Sequence, residues 1–250
     1  ERNVAVGTNA LKALQSPDTA NLGNVAIGYG ALDSTTNGMA NIAIGTAAMD
    51  AAGAGINYCV CIGDRAGDAI NNSAANGTVA IGYNALTAVN SGEGNTAVGY
   101  AAGQTLTTGT NNVAIGLGAM DAVNANSSSC VAVGRNAMGG GNTGSESHYN
   151  TAVGDNTMAA QMNGATSNTA LGKNSLAALV SGDNNTAIGF DAGAAIAADG
   201  NNTHVGYQTG MDSNHSSATA VGYQAGKAAT ATGITTVGYT AGTANTGGAY

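Results

Sequence analysis

The sequence predicts an all-β solenoid: a parallel β-roll or β-helix of about 14 coils, 16–21 residues each, joined by short turns or 3₁₀-like segments. Three observations carry this. First, one phrase, written NTAIGFDAG at Asn185–Gly193, recurs from end to end of the 250 residues. Its skeleton is Asn, Val/Thr, Ala, Val/Ile, Gly, two variable residues, Ala, then Leu, Met or Gly. The central glycines of the 14 copies are Gly7, Gly28, Gly45, Gly63, Gly82, Gly99, Gly116, Gly134, Gly154, Gly172, Gly189, Gly206, Gly222 and Gly238. Second, each glycine follows a bulky–small–bulky triplet such as Val4–Val6, the period-2 signature of a short strand. Third, 40 glycines, one proline, one Phe and no Trp do not build a compact enzyme core, and the glycines lack the three-residue period of collagen.

Taken in order, the Asn column comes first: Asn3, Asn24, Asn41, Asn95, Asn112, Asn150, Asn168, Asn185 and Asn202. Stacked asparagines hydrogen-bond from coil to coil and satisfy turn amides, or else they only tolerate a turn conformation. The strand follows. Its first column (Val4 to Thr235) and its third (Val6 to Val237) are β-branched almost throughout and are expected inside the coil. The small middle column is then expected to face outward: Ala26, Ala43, Ala80, Ala97, Ala114, Ala132, Ala152, Ala170, Ala187 and Ala220, with Cys61, His204 and Thr236 as exceptions. A long strip of small apolar residues on a polar rod suggests close packing of identical chains, and these alanines are the candidate oligomer interface. On that expectation three copies of His204 meet near an axis, a candidate metal site.

The central glycine turns the corner, either with φ > 0 or because another backbone approaches closely. Beyond it, NALTAV (Asn84–Val89) and NSLAAL (Asn174–Leu179) carry helix-like apolar spacing. Helices stack at about 8–10 Å and strands at about 4.8 Å, so a tight or 3₁₀-like turn is expected instead. Spacers such as Asn71–Asn76, Ala125–Ser129, Gly139–Tyr149 and Ala198–Asn201 read as surface loops. Cys59, Cys61 and Cys130 form no disulfide framework and are expected to fill small buried positions.

Phrases such as NVAIG (Asn24–Gly28, Asn112–Gly116) and the stretch Ala218–Gly226 resemble the repeats of YadA-like heads of trimeric autotransporter adhesins. They resemble even more the repeats of bacteriophage tail fibres, and the resemblance covers essentially the whole chain. It implies a left-handed parallel β-roll, a trimer wound about a threefold axis and a role in attachment. The coils here are longer and less even than in the autotransporter heads, and the sequence carries no coiled-coil stalk pattern, which favours the fibre.

Function follows as an expectation. Residues 1–250 are one repeat domain, a fragment of a longer fibre or a unit of a stacking filament, since neither end carries a cap-like sequence and Glu1 is not Met. The expected role is attachment to a cell-surface glycan or protein, at an extracellular, cell-surface or virion location. A purely structural self-assembling filament is the alternative. An ice-binding surface is the third, and it gains if the threonine columns prove exposed on a flat face.

The residue after each glycine is chemically diverse and becomes aromatic over four consecutive coils: Phe190, Tyr207, Tyr223 and Tyr239. With Gln208, Gln224 and Asp191 beside them, these residues are the candidate glycan site. A ladder that only pins coil register is the competing account. No catalytic role is expected. His148, His204 and His215 lack metal-ligand spacing, glycine-rich stretches occur everywhere, and no carboxylate pair clearly shares adjacent coils. With six Lys and Arg and a net charge of −8, nucleic acid is not an expected partner. Membrane insertion and cofactors are not expected either. The expected partner is the chain itself, as a homotrimer with end-to-end stacking.

Overall fold

A computed structural model describes residues 2–14, 23–123, 126–141, 144–213 and 215–243. The fold is an all-parallel β-solenoid, with almost no helix and short turns. Parts of two expected loop spacers (Ala125; Asn142 and Thr143) lie outside the described residues.

The chain divides into two compact units. In the first, seven three-residue strands follow one another: β1 (Val4–Val6), β2 (Val25–Ile27), β3 (Ile42–Ile44), β4 (Val60–Ile62), β5 (Val79–Ile81), β6 (Thr96–Val98) and β7 (Val113–Ile115). In the second come β8 (Val131–Val133), β9 (Thr151–Val153), β10 (Thr169–Leu171), β11 (Thr186–Ile188), β12 (Thr203–Val205), β13 (Thr219–Val221) and β14 (Thr235–Val237). Within each unit every strand pairs in parallel with the next along the sequence. Equivalent residues face each other, so Ala26 lies beside Ala43 and Ala170 beside Ala187. The register is the repeat itself: each coil places the same residue over the same residue, and one residue of slip would turn every side chain to the other face.

The two faces of the strands are opposite to the sequence expectation. The alanine column points into the coil: Ala26, Ala43, Ala80, Ala97, Ala132, Ala152, Ala170 and Ala187 are 0% exposed in a single chain, and Ala114 and Ala220 are 1%. These alanines are therefore enclosed by their own chain and do not form an outward-facing interface. The flanking β-branched columns face outward, with Ile27 at 37%, Ile115 at 39%, Leu171 at 47% and Val237 at 68% exposure. Thickness is the physical reason. The strand lies against the turn segment of its own coil, and that segment already sends large side chains inward. Leu32, Met49, Leu86, Met120, Met138, Met158 and Leu176, four residues beyond their glycines, are at most 1% exposed. Close packing pairs large with small across a thin layer, which leaves room only for Cβ on the strand side.

Turns, not helices, carry the segment after each glycine. Residues two and four beyond the glycine are left-handed: Asn84 and Leu86 have φ of 54° and 49°, Asn174 and Leu176 of 56° and 47°. A non-glycine residue pays roughly 1–2 kcal/mol for this conformation. The return is that backbone groups point along the stack and bond to neighbouring coils: Asn84 N–H donates to the Asp64 carbonyl, and Leu86 N–H to the Ala102 carbonyl, both at 3.0 Å. A helix would satisfy those groups internally and be too wide for the stack. One short 3₁₀ turn, Ser73–Ala75, is described, capped by Asn72, whose Oδ1 accepts from Ala74 N–H at 2.8 Å.

The central glycines meet both conditions set for them. Gly99 has φ of +139°, and a Cβ there would lie 2.5 Å from the Gly116 carbonyl oxygen of the next coil. The asparagine column is a true ladder. Asn168 Oδ1 accepts from the backbone N–H of Asn185 at 2.9 Å, and Asn185 Oδ1 accepts from that of Asn202 at 3.1 Å. Nδ2 of Asn24, Asn41, Asn95, Asn112, Asn150, Asn168 and Asn185 bonds a carbonyl of the following turn, as Asn168 does with Gly182 at 2.8 Å, while Asn202 Nδ2 donates to Asn185 Oδ1 at 3.0 Å. Cys59 and Cys130 stand in this column and Cys61 in the alanine column; all three are buried and form no disulfide among the described residues.

Candidate functional site

Two surfaces and one interior cluster depart from plain repeat packing. The first surface is the outward strand face. In the first unit its two columns are aliphatic except for Thr96; in the second, the first column becomes threonine from Thr151 through Thr235. Thr169 and Thr235 are exposed, and Thr151, Thr186, Thr203 and Thr219 are half-buried. The sequence reading places both columns inside the coil and gives the threonines a surface role only under the ice-binding alternative. A size argument would have found them: when the coil is thin, the small residue of the triplet is the one that fits inside.

The second surface is the aromatic ladder of the second unit. Phe190, Tyr207, Tyr223 and Tyr239 are 38%, 43%, 43% and 77% exposed. Successive ring centroids are 5.4, 5.2 and 5.1 Å apart, with planes within 10° of parallel. Strand pairing imposes this spacing. Each ring gives its face to the next, so the ladder offers solvent ring edges and a row of phenol hydroxyls. A polar ladder runs beside it. Gln224 Nε2 donates to Gln208 Oε1 at 2.8 Å, Gln208 Nε2 to Asp191 Oδ2 at 3.4 Å, and Asn174 Nδ2 to Asp191 Oδ1 at 3.0 Å. Asn174 and Asp191, with Met211, Asp212 and three alanines, line an open groove of about 360 Å³. The six candidate glycan residues are thus together on one face, aromatic and amide rows side by side. A second stack, Tyr83 on Tyr100 at 5.1 Å, lies in the first unit.

The interior cluster is His204 and His215, 1% and 3% exposed, with ring centroids 5.9 Å apart. His204 occupies the alanine column and points into its own coil, so the expected meeting of three His204 rings at a trimer axis does not arise. Burial lowers its pKa to about 4, helped by the neighbouring His215; burial also lowers that of His215, opposed by the carboxylate of Asp199. Elsewhere, burial raises the carboxyls of Asp50 and Asp68, and charges on adjacent coils, Asp33 and Asp50 respectively, push the same way. Among the described residues, no group of three or more His, Cys, Asp or Glu gathers around a common point.

Comparison with protein families, curated proteins and solved structures finds no match to this chain.

Proposed function

We propose that this chain is a structural and attachment segment of an extracellular fibre, of the tail-fibre or adhesin type, that self-associates through its outward strand face. The single observation behind this reading is the pair of β-branched columns left exposed along that face. Ile27, Ile115, Ile188 and Val221 are 37%, 39%, 37% and 37% exposed in one chain. A contiguous apolar strip of this kind on an otherwise polar surface marks a partner. The strip repeats β-branched residues coil after coil, Leu171 apart, aliphatic in one column throughout and changing from valine or isoleucine to threonine in the other, so another copy of the same strip is the partner whose period matches it. Three chains is the number the resemblance to adhesin heads and tail fibres implies. On this reading the aromatic and amide ladders, beyond the corner glycine, meet a cell-surface glycan or protein. Phenol hydroxyls and Gln amides suit the hydroxyl rim of a sugar, while stacking limits access to the ring faces.

The experiment contrasts two neighbouring residues. Ile115→Glu places a charge on the outward face and is expected to yield folded, dissociated chains. Ala114→Glu buries an unpaired charge inside the coil and is expected to prevent folding. An Ile115→Glu protein that assembles like the parent would remove the association face.

One observation favours a second reading, an ice-surface binder: the threonine column from Thr151 to Thr235 faces outward on a parallel sheet, each hydroxyl about 4.8 Å from the next. Thermal hysteresis by the native protein, lost in Thr186→Glu, would favour that reading over attachment; freezing-point behaviour equal to that of a control protein ends it.

A further inference from the structure

His204 and His215 stand on successive coils, His204 in a column of mostly alanine and His215 in a column of mostly Gly, Ser and Ala that elsewhere also admits Ile56 and Asp199. His204 replaces the alanine of the strand, between Ala187 and Ala220. His215 lies seven residues before its central glycine, where other coils have Gly92, Gly109, Ser147 or Ala165. The turn segment leaves room for them: Gly210 shares its place with Gly67, Gly103 and Gly193 of other coils, and Ser213 is the replacement particular to this one. Gly210 sits where other coils have Leu86, Met158 or Leu176, and a Cβ on it would fall on Cε1 and Nδ1 of His204. Ser213 replaces the Leu179 or Ile196 of earlier coils and turns its hydroxyl away, onto the Gly226 carbonyl at 2.7 Å. All four ring nitrogens are buried and have no hydrogen-bond partner among the described residues. Buried polar atoms are nearly always partnered, so four orphans in one cluster point to a missing occupant.

We propose that His204 and His215 jointly hold one soft, low-coordinate d¹⁰ cation, Cu(I), between their rings inside the solenoid. A metal–nitrogen bond of about 2 Å, with about 1.2 Å from nitrogen to ring centre, separates two collinear imidazoles by about 6.4 Å centre to centre, and a pair bent at the metal by less. The observed separation is 5.9 Å, with planes inclined by 37°. A dication that asks for four ligands is not served, because no third His, Cys, Asp or Glu joins the pair among the described residues. A d¹⁰ monocation accepts two neutral nitrogen donors and brings the smallest charge into the interior.

The test uses Ag(I) as an air-stable stand-in. Cys59→Ala, Cys61→Ala and Cys130→Ala remove competing thiols, and His148→Gln removes the remaining imidazole. In this background one Ag(I) is expected per chain, and the side-chain ¹⁵N resonances of His204 and His215 should shift together. His204→Ala restores the residue of the other coils and should weaken binding by at least about 100-fold. If the cysteine replacements do not fold, the ¹⁵N spectrum of the unaltered chain at saturating Ag(I) gives the same readout. Imidazole resonances that stay in place, or Ag(I) binding that survives His204→Ala and His215→Ala together, overturn the proposal. A water-bridged pair gives the first of these results.

Discussion

Replacing Asn168 by Ala tests whether the asparagine ladder holds one coil on the next. Asn168 is 0% exposed, so no water enters to take its place. Its Oδ1 accepts from the Asn185 backbone N–H at 2.9 Å, and its Nδ2 donates to the Gly182 carbonyl at 2.8 Å. The other groups it touches keep partners: Asn185 Nδ2 retains the Asp199 carbonyl, and Asn150 Oδ1 retains the Asn168 backbone N–H. The substitution therefore strands two buried backbone groups. At about 1–3 kcal/mol for each stranded group, the expected loss is about 2–6 kcal/mol. Because coils contact only their neighbours, the loss should be local. Hydrogen exchange should accelerate around residues 164–190 before it does elsewhere, and denaturant unfolding should begin at lower concentration. A loss below about 1 kcal/mol with unchanged exchange at Asn185 would refute the reasoning, since it would mean those groups find other partners at no cost.

The remaining predictions concern backbone, charge and the aromatic stack. Gly99→Ala forces a Cβ onto the Gly116 carbonyl at φ of +139° and is expected to cost about 3 kcal/mol or more. Gly77→Ala, with φ of +74° and nothing within 4 Å, should cost only about 1 kcal/mol; equal losses in chemical denaturation would contradict the close-approach argument. His204 has a folded pKa of about 4 against 6.5 unfolded, so its contribution is intact above pH 6.5 and falls as the unfolded chain takes up the proton, reaching a loss of about 3 kcal/mol near pH 4. The difference between parent and His204→Ala melting curves across that window isolates the effect, and a pH-independent difference would exclude it. Tyr223→Ala removes two stacking contacts and should lower stability by about 1–3 kcal/mol. Glycan binding lost in the still-folded variant would assign the ladder to attachment, and unchanged binding per folded molecule would take that role away.

The sequence carries the period, the strand positions and the corner glycines openly, because a solenoid writes each structural requirement once per coil. Gly99 and Gly116 sit at the same step of every repeat, and a chemist needs no coordinates to infer that a Cβ is excluded there. The asparagine ladder is legible for the same reason. The facing of the strand is not. A V-A-I triplet satisfies period two whichever side is buried, and the habit of placing the larger residues inside gives the wrong answer for Val113, Ala114 and Ile115. The deciding fact is the depth of the coil, set by Met120 and its counterparts in the turn segment. Those turns are themselves hard to read, because Leu86 and Met120 are unusual occupants of left-handed positions. They tolerate the conformation because coil-to-coil hydrogen bonds and burial stabilise it. Of the candidate sites, the aromatic column is visible as a run of Tyr, but its stacked geometry follows only from strand spacing. His204 is visible as an exception in a column, while its pairing with His215 depends on two coils coming into register.

Native mass spectrometry of the unaltered chain tests the central claim most directly. A folded assembly at three times the 23.9 kDa chain mass is expected, dissociating to single chains when Ile115 becomes Glu. A folded species at 23.9 kDa at micromolar concentration, with its outward valine and isoleucine columns left in water, would contradict it.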